Sequence, residues 1–284
     1  MAEKNIGAID VLKSTPRTNC GECGMANCMA FAGLAARGLK PPTDCPYIDP
    51  EMAERLGEQV KRSTEEEEDP REELLKKMRA ELGDMDFTEA AERLGGWMCD
   101  DRIAIRVLGR VFEVDKEGGL HTVCHVNDWV RLPILNYILY GEGAEPTGEW
   151  ITFRELPGAQ AWARFFAHRC ERTIKRLSDS DPDLFISILS LFGEEVEDRE
   201  IQFDHCFLLH PLPKVPVLMC YSRQEGDFDS KFTVLFDRSV EKNLRTDAAY
   251  FLVQGIAEMF GKIMEHHGVE VAGAAPEQFR ERAG

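Results

Sequence analysis

Apolar and polar positions change rhythm twice along the chain, and the changes mark out its parts. From about residue 84 onward, short alternating runs are interleaved with runs at helical spacing, which is the signature of a mixed α and β region. Residues 101–115 (DRIAIRVLGRVFEVD) alternate like two paired strands with Gly109 near their turn. Residues 128–141 (DWVRLPILNYILYG) are apolar at helical spacing and stop at Gly141. Residues 150–158 (WITFRELPG) read as a short strand and turn, and residues 159–177 (AQAWARFFAHRCERTIKRL) as a strongly amphipathic helix. In the next segment, 181–195, Asp181 is placed as N-cap, Pro182 at the first helical position and Gly193 as the stop. Three strands are predicted in residues 201–213, 215–223 and 231–237. A long helix closes the region over 246–268, with Thr246 or Asp247 as its cap. Consecutive strands with few intervening helices predict an α+β fold with a largely antiparallel sheet.

The two preceding stretches differ in kind. Residues 51–83 are charged, rich in helix formers and broken at Asp69-Pro70, so they are read as two solvated helices with a hinge near Ser63 to Pro70. Residues 1–50 hold clustered cysteines, two Cys-Gly steps and a short helix. The expected organisation is a small domain over 1–50, a charged helical linker over 51–83, a larger α+β domain over 84–272 and a polar tail over 273–284. No internal repeat is present.

Composition narrows the functional classes. Asp and Glu number 51 against 34 Lys and Arg, for a formal net charge of -17. Such a surface repels phosphate backbones and anionic lipid, so neither nucleic acid nor a membrane is expected as partner. The same acidity also serves solubility. The N-terminal residues lack an apolar signal region, and the protein is expected to be cytoplasmic. A reducing compartment turns nine cysteines away from disulfides and toward metal.

Four of the nine form the text TNCGECGMANCMAFAGLAARGLKPPTDCP, spaced Cys-x2-Cys-x4-Cys-x16-Cys. Cys20, Cys23 and Cys28 can wrap one face of a cluster. Gly21 and Gly24 supply positive φ, and Cys28 sits where a helix should begin and present its amides to negative charge. A turn at Pro41-Pro42 brings back Cys45, which is followed by Pro46. The spacing assigns a [4Fe–4S] cluster to Cys20, Cys23, Cys28 and Cys45. Structural zinc is the rival, but it commonly pairs two Cys-x2-Cys knuckles, and only one is present.

From Cys20 to Ala32, and again at Asp44-Cys45-Pro46, the segment resembles the small iron–sulfur domain of the corrinoid iron–sulfur protein large subunit, part of the acetyl-CoA decarbonylase/synthase system. The resemblance implies that these four cysteines hold a [4Fe–4S] cluster that reactivates an oxidised corrinoid by one electron. It covers roughly a sixth of the chain. The remainder does not resemble that subunit's corrinoid-binding barrel. Instead TFRELPG, PLPKVPVLMCYSR and KFTVLFDRSV resemble a domain of unknown function common in anaerobes, which brings no established activity. The function expected is an electron-transfer or redox accessory protein for a corrinoid or other metallo-cofactor partner in anaerobic metabolism. The alternative is a binding or assembly protein with a structural cluster.

Other candidates are weaker. Cys99, Cys124, Cys170, Cys206 and Cys220 are read as non-ligands, Cys170 on a helix and Cys206 and Cys220 on strands as small buried hydrophobes. A second site with His121, His125 or His205 would need a different pattern, since strand alternation puts His205 and Cys206 on opposite faces. His266 and His267 suit the end of the last helix. Asp204, Asp227, Asp229 and Asp237 have no spacing that demands catalysis, and Trp97, Trp129, Trp150 and Trp162 are expected to pack the core. No phosphate loop and no nucleophile–base set occurs.

Overall fold

The structure is a computed structural model that describes residues 7–36, 38–66, 70–197 and 202–269. The tail 273–284 and residues 67–69 of the expected hinge lie outside the described residues. Contacts divide the chain into two compact units, with the boundary between Lys76 and Lys77.

The first unit contains α1 (Ala8–Lys13), α2 (Cys28–Ala35) and α3 (Pro50–Glu66). Its core joins Val11, Phe31, Ala32, Ala35, Ile48 and Ala53. α4 (Pro70–Gly83) crosses the boundary. The expected pair of helices is present, but neither is simply solvated: α3 buries Ala53, Leu56 and Val60, and α4 buries Leu75, Met78 and Leu82.

The second unit opens with α5 (Phe87–Leu94), whose N-cap Asp86 accepts from the Thr88 and Glu89 amides and whose left-handed Gly95 ends it. A four-stranded antiparallel meander follows: β1 (Trp97–Cys99), β2 (Arg102–Val107), β3 (Arg110–Val114) and β4 (Leu120–His121). Next come α6 (Asp128–Tyr140), β5 (Trp150–Thr152) and α7 (Ala163–Phe166). After them lie α8 (Arg172–Ser180), α9 (Pro182–Phe192) and β6 (Gly193–Glu195). Three long strands, β7 (His205–Leu212), β8 (Val215–Ser222) and β9 (Lys231–Asp237), precede α10 (Val240–Asn243) and the closing α11 (Thr246–His266). The second sheet is antiparallel throughout in the order β5-β9-β8-β7-β6. The architecture is thus α+β with antiparallel sheets, as the strand spacing predicts.

β8 lies between β9 and β7 and is buried from Val215 to Tyr221. Its near-continuous apolar text is what a strand covered on both faces requires. One face of the sheet meets α9 and α11 through Phe185, which packs edge-on against Tyr221, Phe232 and Phe260. The other carries a smaller cluster of Cys206, Leu218 and Cys220 beneath half-buried Trp150, Val196, Phe203, Leu208 and Leu235.

Three sequence expectations need correction here. The amphipathic run after Gly158 is not one α-helix, because a π-helical turn over Ala167–Glu171 separates α7 from α8. The added residue keeps Phe166, Cys170 and Ile174, at intervals of four, all buried. α11 is not capped by Thr246 or Asp247, since Arg245 holds the cap position without a side-chain bond. Thr246 Oγ1 instead donates to the Pro157 carbonyl, and Asn136 Oδ1 takes the Arg245 amide. Finally, Trp97 is exposed, with Arg106 over its ring, rather than packed in the core. Among the described residues, no helix is long and apolar enough to cross a membrane.

Candidate metal centre

The cysteine segment begins where α1 ends. Arg17 and Asn19 have φ of 57° and 51°, and Gly21 and Gly24 have φ of 79° and 76°. Left-handed residues this close together coil the backbone tightly, and the Gly24 amide closes a turn on the Gly21 carbonyl at 2.8 Å. An L side chain at φ near +50° is strained, yet Asn is among the residues that tolerate it by bonding locally. Here Asn19 Oδ1 accepts the Cys28 amide at 2.9 Å. That bond fixes Cys28 relative to the loop carrying Cys20 and Cys23.

Cys28 is the first residue of α2, behind an N-cap Asn27 that accepts from the Ala30 amide. It therefore sits at the positive end of the helix. α2 turns Phe31, Ala32 and Ala35 into the core and stops before the left-handed Gly38. A 3-10 turn over Pro42–Asp44 then delivers Cys45, whose amide bonds the Pro42 carbonyl at 3.3 Å. The Tyr47 hydroxyl donates to Glu22 Oε1 at 2.7 Å and ties this returning end to the loop between Cys20 and Cys23. The hydrogen bond to Glu22, followed by that carboxylate's charge, raises the Tyr47 phenol pKa, and Cys20 and Cys45 both lie close enough to add to the effect.

The four thiols differ in exposure: Cys20 is exposed, Cys23 half-buried, and Cys28 and Cys45 buried. Cys45 belongs to the core of the unit, and Cys23 packs against it with Met25. The segment thus has an apolar side and an open side. Among the described residues, no three His, Cys, Asp or Glu side chains converge as a single bound ion would require. Four thiols stand on one closed segment, two of them buried, a donor set of the kind iron–sulfur groups take.

The remaining cysteines are dispersed. Cys99 donates to Glu113 Oε1 at 3.5 Å, and this bond and the carboxylate's charge raise its pKa. Cys124 is half-buried in the loop after β4. Cys170 lies in the π-helical turn, where burial pushes its thiol well above the usual range. Cys206 and Cys220 stand opposite one another on β7 and β8. His121 pairs with Asp115 at 2.6 Å and His205 with Glu195 at 2.7 Å. His267 Nδ1 lies 2.8 Å from the Ile263 carbonyl at the end of α11, as a helix-terminal role predicts.

Sequence reasoning missed the role of Asp237, a buried carboxylate that accepts from the Thr147, Gly148 and Ser239 amides at 3.0, 2.6 and 2.8 Å. Its signal would have been the amide-rich Thr-Gly step at 147–148, some 90 residues earlier.

Taken together, these features describe a two-part protein, a short cysteine-bearing unit followed by an α+β domain of antiparallel sheets. Residues 86–259 match the family model described as "Domain of unknown function (DUF3786)", and the chain belongs to that family. Residues 16–47 match a second model, described as "Putative Fe-S cluster". Over 53 residues the chain is 42% identical to the acetyl-CoA decarbonylase/synthase complex subunit gamma of Methanopyrus kandleri, covering 19% of this chain and 12% of that one. It is 40% identical over 48 residues to the corrinoid/iron-sulfur protein large subunit of Moorella thermoacetica, covering 17% and 11%. The chain therefore spans only about an eighth or less of the length of these relatives. No solved structure matches. The cofactor class supported by the matches is iron–sulfur.

Proposed function

We propose that Cys20, Cys23, Cys28 and Cys45 hold a [4Fe–4S] cluster and that the protein is a redox accessory which passes electrons to a corrinoid or other metallo-cofactor protein of anaerobic metabolism. The observation that carries this reading is the closed segment itself. Asn19 fixes Cys28 to the loop, and Tyr47 returns the Cys45 end to Glu22. The same segment is similar to one subunit named for acetyl-CoA decarbonylase/synthase and to another named for a corrinoid/iron-sulfur protein.

When bound, the cluster supplies a one-electron carrier. The chain's residues would set its conditions. Cys28 at the start of α2 would lie at the positive end of the helix dipole, Cys45 and Cys23 face the dry core, and exposed Cys20 marks the side nearest solvent, where a partner would dock. The net charge of -17 favours a basic docking face and an association rate that falls as salt rises.

Protein purified without oxygen is expected to contain about four irons and four sulfides per chain and to lose them in Cys28→Ala or Cys45→Ala. A redox titration followed by electron paramagnetic resonance should then show reversible one-electron reduction. One tightly held zinc without iron would sink the cluster assignment. A stable cluster that never reduces reversibly would sink the relay and favour the assembly role.

A further inference from the structure

We propose that Cys206 and Cys220 form a reversible thiol/disulfide couple that staples β7 to β8 when the protein meets a hydroperoxide. The inference is independent of the cluster, because both residues lie in the second unit. Cys206 and Cys220 are direct cross-strand partners, with their sulfurs in contact. The Cys206 carbonyl accepts the Val196 amide at 2.8 Å. In an antiparallel sheet the N–H and C=O of one residue point to the same side, so those of Cys206 face β6 and not β8. The pair with Cys220 is therefore of the non-hydrogen-bonded kind, whose Cα atoms approach to about 4.5 Å with side chains drawn together. That separation falls within the roughly 4.4–6.8 Å that a disulfide spans.

A specific local feature creates this meeting. The register shifts between Leu209 and Leu212. Extending the Leu212–Val215 pairing without the shift would set Cys206 against Tyr221. The bulge moves the strand by one residue and brings thiol to thiol. Bulges of this type re-aim side chains.

The chemistry balances with the two thiols and one peroxide. Cys206 retains 4% exposure while Cys220 has none, so Cys206 is the attacking sulfur. Its thiolate attacks one peroxide oxygen, the O–O bond breaks, and the departing hydroxide takes up a proton as water (or as an alcohol for an organic peroxide). The Cys220 thiol then attacks the sulfenic sulfur of Cys206, the S–O bond breaks as the S–S bond forms, and the hydroxide that leaves takes the Cys220 proton and departs as water. Two thiols are oxidised and one peroxide is reduced. A dithiol reverses the step by exchange.

Trypsin cuts after Lys214 and so places the two cysteines on separate peptides. Full-length, anaerobically purified protein would be exposed to stoichiometric hydrogen peroxide, quenched in acid, alkylated and digested. A peptide pair joining Cys206 to Cys220 is expected, absent before treatment and lost on addition of dithiothreitol. In Cys220→Ser, dimedone should label Cys206. Should that variant fail to fold, the native chain decides alone. Recovery of both cysteines as alkylated thiols, a link from Cys206 to any other cysteine, or a link that dithiothreitol leaves intact would overturn the proposal.

Discussion

At the scale of single residues, Asp237 shows how a group far from the cysteine segment can govern the second unit. It anchors the loop before β5 to the turn after β9 through three amides and the Thr147 hydroxyl. Burial alone would raise its pKa, but the hydrogen bonds from Ser239, Thr147 and Gly148 outweigh it and hold the carboxyl below its usual value. A folded-state pKa below the unfolded one contributes stability that is complete above about 3.9 and is lost as pH falls through the folded value. Asp237→Asn should therefore reduce stability at neutral pH by on the order of 2–3 kcal/mol, since hydrogen bonds to a charged acceptor are lost. Urea melts of both proteins at pH 7 and near pH 3 would check this, and a gap that fails to shrink in acid would count against it. The role of Asp237 is not legible in the sequence, because two of its three amide partners, Thr147 and Gly148, lie some 90 residues away and only the Ser239 amide is local. The four ligand candidates stand out in the sequence because they share one short stretch. Asn19 was not singled out, since its part depends on a left-handed backbone that spacing does not reveal.

Elements were read well where their signals are local. Asp181, Pro182 and Gly193 start and stop α9 as expected, and Gly109 turns β2 into β3. The β2–β3 turn also has Leu108 at φ 45° beside Gly109 at φ 78°, the double positive φ of a type I′ hairpin. A left-handed leucine is unfavourable by about 1–2 kcal/mol, a penalty that asparagine reduces. Leu108→Asn should raise the thermal midpoint, consistent with a gain of about 0.5–1 kcal/mol. A lower midpoint would show that Leu108 makes contacts outweighing its backbone strain. Elements were misread where distant partners decide. At the α11 terminus the cap-position Arg245 amide goes to the distant Asn136 and the Thr246 hydroxyl to the Pro157 carbonyl, and the π-helical turn keeps buried positions in phase through packing rather than through any marker residue. The face of Cys206 followed from alternation, but its partner did not, because the bulge near Leu209 sets the register.

For the molecule as a whole, α4 bears on where the chain can be cut. Its buried Met78 and Leu82 fall on the second unit's side of the boundary, and Leu82 lies near Gly118. A fragment of residues 70–284 should melt cooperatively, while one of residues 85–284 should melt earlier and less sharply, because it leaves the Leu82 contact empty. Large apolar truncations of this kind typically remove 2–5 kcal/mol. Equal melting of the two fragments, followed by circular dichroism, would mean that α4 contributes nothing to the second unit. β8 has another consequence, one of time. A backbone amide exchanges its hydrogen with solvent only when its bond opens, and the innermost elements open only with the whole fold. Flanked by strands on both edges and apolar on both faces, β8 has no side from which to fray. Its amides from Val217 to Tyr221 should be the last in the chain to take up deuterium. The same opening would be needed to separate Cys220 from its neighbour, so the slowest clock in the protein would also pace the exchange of that sulfur's surroundings.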